Sequence, residues 1–182
     1  MSLGPLRLSR RIALAAALLL PAGCSEPSPF APVCPKLSLL RDAADLTRFA
    51  GAADAPHDAR SLALVARISA VPAKCGNGPK DKVLAKLNVV IQARRGPAFR
   101  GDVAELRYFV GITDGDRVAT ERDFVVAAKF RANVDQVTVS GEEIDLTLPV
   151  SSTKTAAAYH VYVGFRLTAD ELAENRKADT SE

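Results

Sequence analysis

The stretch Tyr159-His160-Val161-Tyr162-Val163-Gly164-Phe165-Arg166-Leu167 decides the fold class. Tyr159, Val161, Val163, Phe165 and Leu167 fall on every second residue, so an extended backbone lines them along one side. β-Branched and aromatic side chains suit a half-buried pleated surface, whereas in a helix they lose rotamer freedom. His160, Tyr162 and Arg166 then stand on the opposite side. Immediately downstream, Thr168 and Glu171 have the spacing of a capping box and open a short helix through Leu172, Ala173, Glu174, Asn175 and Arg176.

Upstream the same period of two recurs. Leu62, Leu64, Ala66, Ile68 and Ala70 share a face, and so do Val83, Ala85, Leu87, Val89 and Ile91, which read as one continuous strand. Leu106, Tyr108, Val110 and Ile112 lead through Asp114-Gly115, a hairpin signal, into 117–120. Phe124, Val126, Ala128 and Phe130 form the next run, then 134–139, then Ile144, Leu146 and Leu148 after Ser140-Gly141. Near the start of the domain, 37–40 is a short apolar run suited to a sheet edge. Residues 41–49 show helical spacing between Leu46 and Phe49, and 51–60 is a loop rich in Ala, Asp and Pro. Seven or eight strands without intervening helices predict an all-β, antiparallel β-sandwich, immunoglobulin-like, with a short C-terminal helix.

The N-terminus has a different logic. Arg7, Arg10 and Arg11 precede the apolar segment 12–20, which is too short to span a bilayer and is followed by Pro21-Ala22-Gly23-Cys24. This resembles the lipobox leader of bacterial lipoproteins. The resemblance implies a signal peptide over 1–23, fatty acylation (palmitate among the acyl groups) of Cys24, and attachment to a membrane facing the periplasm. Ser25 fits passage to the outer membrane, since retention at the inner membrane commonly uses Asp at that position. Residues 24–33, with Pro27, Pro29 and Pro32, read as a semi-rigid tether, and 34–182 as one domain. Tyr159 to Arg176, together with Cys34-Pro35 and Tyr108-Phe109-Val110, resembles a set of small alphaproteobacterial lipoproteins, a likeness that carries no activity and no catalytic residue.

Location then constrains chemistry. The whole chain is formally +3, but three of its 24 basic residues lie in the leader, which has no acid, leaving 21 basic against 21 acidic residues. That balance and the compartment give no case for a nucleic-acid partner. With Cys24 acylated, Cys34 and Cys75 remain as a pair in an oxidising compartment, where a disulfide is the default.

The remaining candidates each have a structural reading beside the functional one. Asp114, Asp116, Glu121 and Asp123 surround the hairpin and are candidate Ca²⁺ ligands, although Asp-Gly is also ordinary turn chemistry. Arg94, Arg95 and Arg100 around Gly96-Pro97-Ala98-Phe99 read as a loop that meets lipid phosphates or simply stays solvated. His160 and His57, the latter near Asp54 and Asp58, lack a recognisable nucleophile motif. Leu167, Leu172 and Ala173 are expected to dock the helix, with Asn175 and Arg176 folding back onto loop carbonyls or meeting a partner. The expectation is a non-enzymatic, lipid-anchored domain without a cofactor that binds or supports an envelope protein. The alternative is a small-ligand or Ca-binding protein, or a hydrolase using the loop carboxylates or His160.

Overall fold

Alternation of apolar and polar residues puts Leu106, Tyr108, Val110 and Ile112 on one side of a strand, and in the computed structural model that side is the core. The structure describes residues 32–51 and 56–179; the leader, Cys24 and tether residues 25–31 lie outside them. Among the described residues no helix is long and apolar enough to cross a membrane.

The strands are β1 (Lys36–Leu39), β2 (Asp45–Phe49), β3 (Leu62–Ala70), β4 (Ala73–Asn77), β5 (Lys82–Leu87), β6 (Val90–Arg95), β7 (Val103–Asp114), β8 (Arg117–Lys129), β9 (Gln136–Ser140), β10 (Ile144–Pro149) and β11 (Tyr159–Phe165), followed by helix α1 (Ala169–Asp179). One sheet has the order β1-β11-β7-β8. Its pairings are antiparallel except for β1, which runs parallel to β11 with Ser38 opposite Tyr162. Hydrogen bonding divides the remainder into β2-β3-β6-β9 and β10-β5-β4.

Those two groups are halves of one bent layer. β3 continues into β4 through Val71-Pro72, β5 into β6 through Asn88-Val89, and β9 into β10 through 141–143, with neighbours kept in the same order on both sides of the corner. Eleven strands therefore follow eight paths, and the architecture is the all-β sandwich with a C-terminal helix that the alternation predicts. The corner is stitched laterally. Asn88 N donates to Pro72 O at 3.1 Å, Asn88 Nδ2 to Gly141 O at 2.8 Å, and Gly141 N to Val89 O at 2.9 Å.

Several local expectations are corrected. The 83–91 run is two strands meeting at this corner. Arg117 through Lys129 is a single strand, entered by a two-residue loop whose Gly115 has φ +60°. Residues 41–49 hold a 3₁₀ turn, Arg41–Ala43, and strand β2. The helical spacing misleads because residues three apart in a strand point to opposite faces: Leu46 is buried in the core, whereas Phe49 is half-buried and stacks on His57. Cys75 lies within β4 and not in a turn.

The core joins both layers: Leu64, Ile91 and Leu148 from the bent layer face Leu106, Tyr108, Val161 and Phe165 from the other. Tyr108 is the largest of the fully buried side chains. Its ring stacks on Phe124, and its hydroxyl reaches the corner without a hydrogen-bond partner among the described residues. Gly141 makes room for it, since a Cβ there would sit 2.0 Å from Tyr108 Oη. At the other margin Cys34 and Cys75 form a disulfide, with Cα atoms 5.7 Å apart, tying the segment before edge strand β1 to edge strand β4.

Tyr108→Phe keeps the ring and removes an unpaired buried hydroxyl, so its melting temperature should equal or exceed the parent's; a loss above about 1 kcal/mol would reveal a partner for the hydroxyl. Burial first, and the Glu142 charge second, raise the Tyr108 pKa. The unfolded chain therefore releases this proton before the folded one, and stability falls as pH rises past about 10, a dependence Tyr108→Phe should flatten. Gly141→Ala should cost about 1–3 kcal/mol, partly recovered in the Tyr108→Phe background. Reduction of Cys34–Cys75, which closes a 41-residue separation, should remove about 4 kcal/mol in the chain-entropy account. It should also expose residues 33–49 to protease before the rest; simultaneous cleavage throughout would show that the bond acts globally.

Candidate functional site

Of the acidic hairpin residues, Asp114 accepts from Lys154 Nζ at 2.5 Å, and that hydrogen bond is the leading cause that raises the Lys154 pKa. Glu121 accepts from Arg166 at 2.6 Å, and Asp123 also holds the Arg166 guanidinium. Asp116 is exposed at the loop tip. Asp114 thus pairs with Lys154, whereas Glu121 and Asp123 share Arg166. Among the described residues no three His, Cys, Asp or Glu side chains converge in a way that could hold a metal ion.

The arginine loop is likewise resolved into separate roles. Arg94 and Arg95 belong to β6, so they point to opposite faces. Arg95 donates to Asp135 at 2.9 Å and lies over Phe130, while Arg100 donates to the carbonyls of Pro97 and Phe99.

Both histidines have partners. His57 stacks on Phe49 at 4.4 Å and its Nδ1 lies 3.1 Å from Glu174 Oε2, joining the loop to α1; Asp58 caps the same loop, its pKa lowered chiefly by the backbone N–H groups of Ser61 and Arg60. His160 stands on the outer face of β11. Its Nε2 is 3.0 Å from Ser38 Oγ and its Nδ1 is 3.2 Å from Tyr162 Oη, with the two rings stacked at 4.5 Å. Ser38 was invisible as a partner in the sequence, because only the parallel pairing across 122 residues brings it there.

Helix α1 is held mainly by polar contacts. Thr168 and Glu171 complete the capping box: Thr168 N donates to Glu171 Oε2 at 2.9 Å, and Glu171 N to Thr168 Oγ1 at 3.2 Å. Glu171, 7% exposed, also accepts from Arg48 Nε at 2.8 Å, which pairs its buried charge. Asn175 Nδ2 donates to the carbonyls of Asp42 and Asp45, both at 2.8 Å, and Arg176 Nε to Asp42 at 3.0 Å. The fold-back of Asn175 and Arg176 onto loop groups is thus observed. Apolar docking is only partial: Leu167 packs on the core, Leu172 is half-buried, and Ala173 is exposed.

This mode of attachment leaves an apolar groove of about 560 Å³ between α1, the Arg41–Ala43 turn and the outer face of the β1-β11-β7-β8 sheet. Phe109, Leu167 and Leu172 line it beside Leu40 and Ala43, with Arg41, Asp42, Arg166 and Arg176 at the rim. Gly164 permits the close packing here, since a Cβ on it would lie 3.0 Å from Ala43 Cβ and 3.1 Å from the Phe109 ring. Arg166 covers part of Phe109, its guanidinium 4.5 Å from the ring centroid. The groove combines aromatic and aliphatic surface with a rim of three arginines and one aspartate. Comparisons with protein-family models, with curated proteins and with solved structures found no match to this chain.

Proposed function

We propose that the protein is a lipid-anchored domain of the bacterial cell envelope that binds another envelope protein through the groove beside α1, without catalysing a reaction there. The groove carries this reading. Its lining holds Phe109, Phe165 and three arginines but neither lysine nor glutamate, the composition that distinguishes the centres of protein interfaces from ordinary surface. A bulky apolar side chain of the partner would enter over Phe109 and Leu172, with polar groups meeting the arginine rim.

The anchor rests on the lipobox-like leader and the proline-rich tether before Cys34.

A photocrosslinking residue at Leu40 or Leu172 in the full chain should trap the same envelope protein in cells, while one at Val134, exposed between β8 and β9, should not. Leu172→Arg should weaken the Leu40 adduct about tenfold or more. Equal trapping at Val134, or an adduct indifferent to Leu172→Arg, would remove the groove from the account. Separately, Cys24→Ser should abolish labelling by a fatty-acid probe without lowering the melting temperature; labelling that persists would remove the anchor.

A further inference from the structure

We propose that the protein self-associates through the open edge of β8, two copies pairing their β8 strands antiparallel about a two-fold axis at Val125. β8 ends its sheet and, among the described residues, no strand pairs with its outer side. It is 13 residues long and has neither proline nor glycine, whereas β1, β2, β4, β9 and β10, which also end sheets, have four to six residues. The edge of β2 is further covered by α1, whose Asn175 side chain bonds Asp45 O. A long bare edge is a template for another strand, and native chains ordinarily shorten, cover or interrupt such edges.

The ladder fixes which backbone groups are on offer. Phe130 N donates to Asp102 O, directly across from it, at 2.7 Å, and on the other side of β7 Arg166 N donates to Arg107 O at 2.8 Å. Hydrogen-bonded and non-hydrogen-bonded pairs alternate along an antiparallel ladder, so β7 uses its even-numbered residues toward β8 and its odd-numbered ones toward β11. Their partners from Arg122 to Ala128 are even-numbered too. The N–H and C=O groups of Glu121, Asp123, Val125, Ala127 and Lys129 are therefore directed outward. All of these residues are exposed, Val125 to 57%.

The charges along that edge select a second copy as the occupant. In a symmetric pairing that keeps each side chain on its own face, a register centred at Glu121 or Asp123 sets that carboxylate against its own copy. Centred at Arg122, it sets Arg122 against Arg122 and Glu121 against Asp123. Like charges directly opposed are destabilising. Centred at Val125, it sets Glu121 against Lys129 of the second copy, Asp123 against Ala127 beside that lysine, Val125 against Val125 and Phe124 against Val126. Of the symmetric registers open to β8, this is the longest that opposes unlike charges and none alike. It forms about ten main-chain hydrogen bonds, the number an ordinary interface carries, and it covers the exposed Val125. The contact is isologous and closes at two copies. The groove beside α1 contributes no residue to it.

The full chain, purified in detergent with its disulfide intact, should sediment as a dimer. Val125→Cys under mild oxidation should give a linked dimer, mapped to position 125 in both copies by peptide mass spectrometry, because an opposed hydrogen-bonded pair has Cα atoms about 5.5 Å apart, within disulfide reach. Val118→Cys should not crosslink, although Val118 is the more exposed at 69%, since the register carries it far from its mate. Ala127→Pro removes an outward N–H that the β7 ladder does not use, so it should keep the parental circular dichroism spectrum and weaken the dimer about tenfold or more. Lys129→Glu should also weaken it, and Glu121→Lys added to the same chain should restore it. A monomer at every concentration, equal crosslinking at positions 118 and 125, a dimer indifferent to both Ala127→Pro and Lys129→Glu, or Val125→Cys trapping a different protein in cells in place of a second copy would overturn the proposal. Leu172→Arg should leave the dimer intact, which separates this edge from the groove.

Discussion

Three neighbouring strand paths turn the same corner, and the side chain of Asn88 does much to hold it. Its backbone N–H bonds Pro72 O on one neighbour and its side chain bonds Gly141 O on the other. Where strands bend, the regular ladder lapses, and a buried carbonyl left without a donor costs about 1–3 kcal/mol. Asn88 and the Gly141-to-Val89 bond supply donors across the interruption. Tyr108 fills the space beneath the bend, and Gly141 is the residue that lets it approach. The packing gained by the ring outweighs the cost of its unpaired hydroxyl.

The alternation that made the strands legible also concealed the corner. Leu87, Val89 and Ile91 are all essentially buried, so the two-residue period runs through Asn88-Val89 without a break. A bend that preserves the parity of inward-facing residues leaves no mark in a hydrophobic pattern. The capping box was readable because its two reciprocal bonds depend on residues only three apart. The pairing of Cys34 with Cys75 followed from the reading of the leader, and the structure brings the two together. The Ser38–His160 contact had no local signature. It depends on the one parallel pairing among the described strands, between residues 122 positions apart. The arginine and aspartate clusters failed for the opposite reason. Proximity in sequence suggested convergence, whereas strand alternation puts Arg94 and Arg95 on opposite faces, and the hairpin acids pair with cations, Asp114 with Lys154 and both Glu121 and Asp123 with Arg166.

Helix α1 illustrates how stability and a binding surface arise from the same choice. Eleven residues are too few to hold a helix alone, and this helix has few apolar side chains with which to dock. Glu171, Glu174, Asn175 and Arg176 attach it instead to Arg48, His57 and the Arg41–Ala43 turn region. A helix docked through its apolar side would have consumed Leu172. Docked through polar groups, it leaves Leu172 at the wall of a groove whose base is Phe109.

The outer face of β11 inherits its geometry from the inner one. Tyr159, Val161, Val163 and Phe165 are buried, and a slip of one residue would send all four to solvent. The core therefore fixes the register, and with it the sequence of outer-face positions: His160 beside Ser38, then Tyr162, then Gly164 beneath Phe109 and Ala43, then Arg166 over the Phe109 ring. The disulfide secures the same register from the other side, because it ties the chain just before β1 to β4 in the bent layer. Side chains carried on a strand locked in this way keep their mutual positions without support from a flexible loop, which is the preorganisation that a binding groove requires. The groove is thus coupled to the core: a change at Leu172 alters the groove wall alone, whereas a change at Val161 or Val163 would disturb the register that positions Gly164 and Arg166 in it.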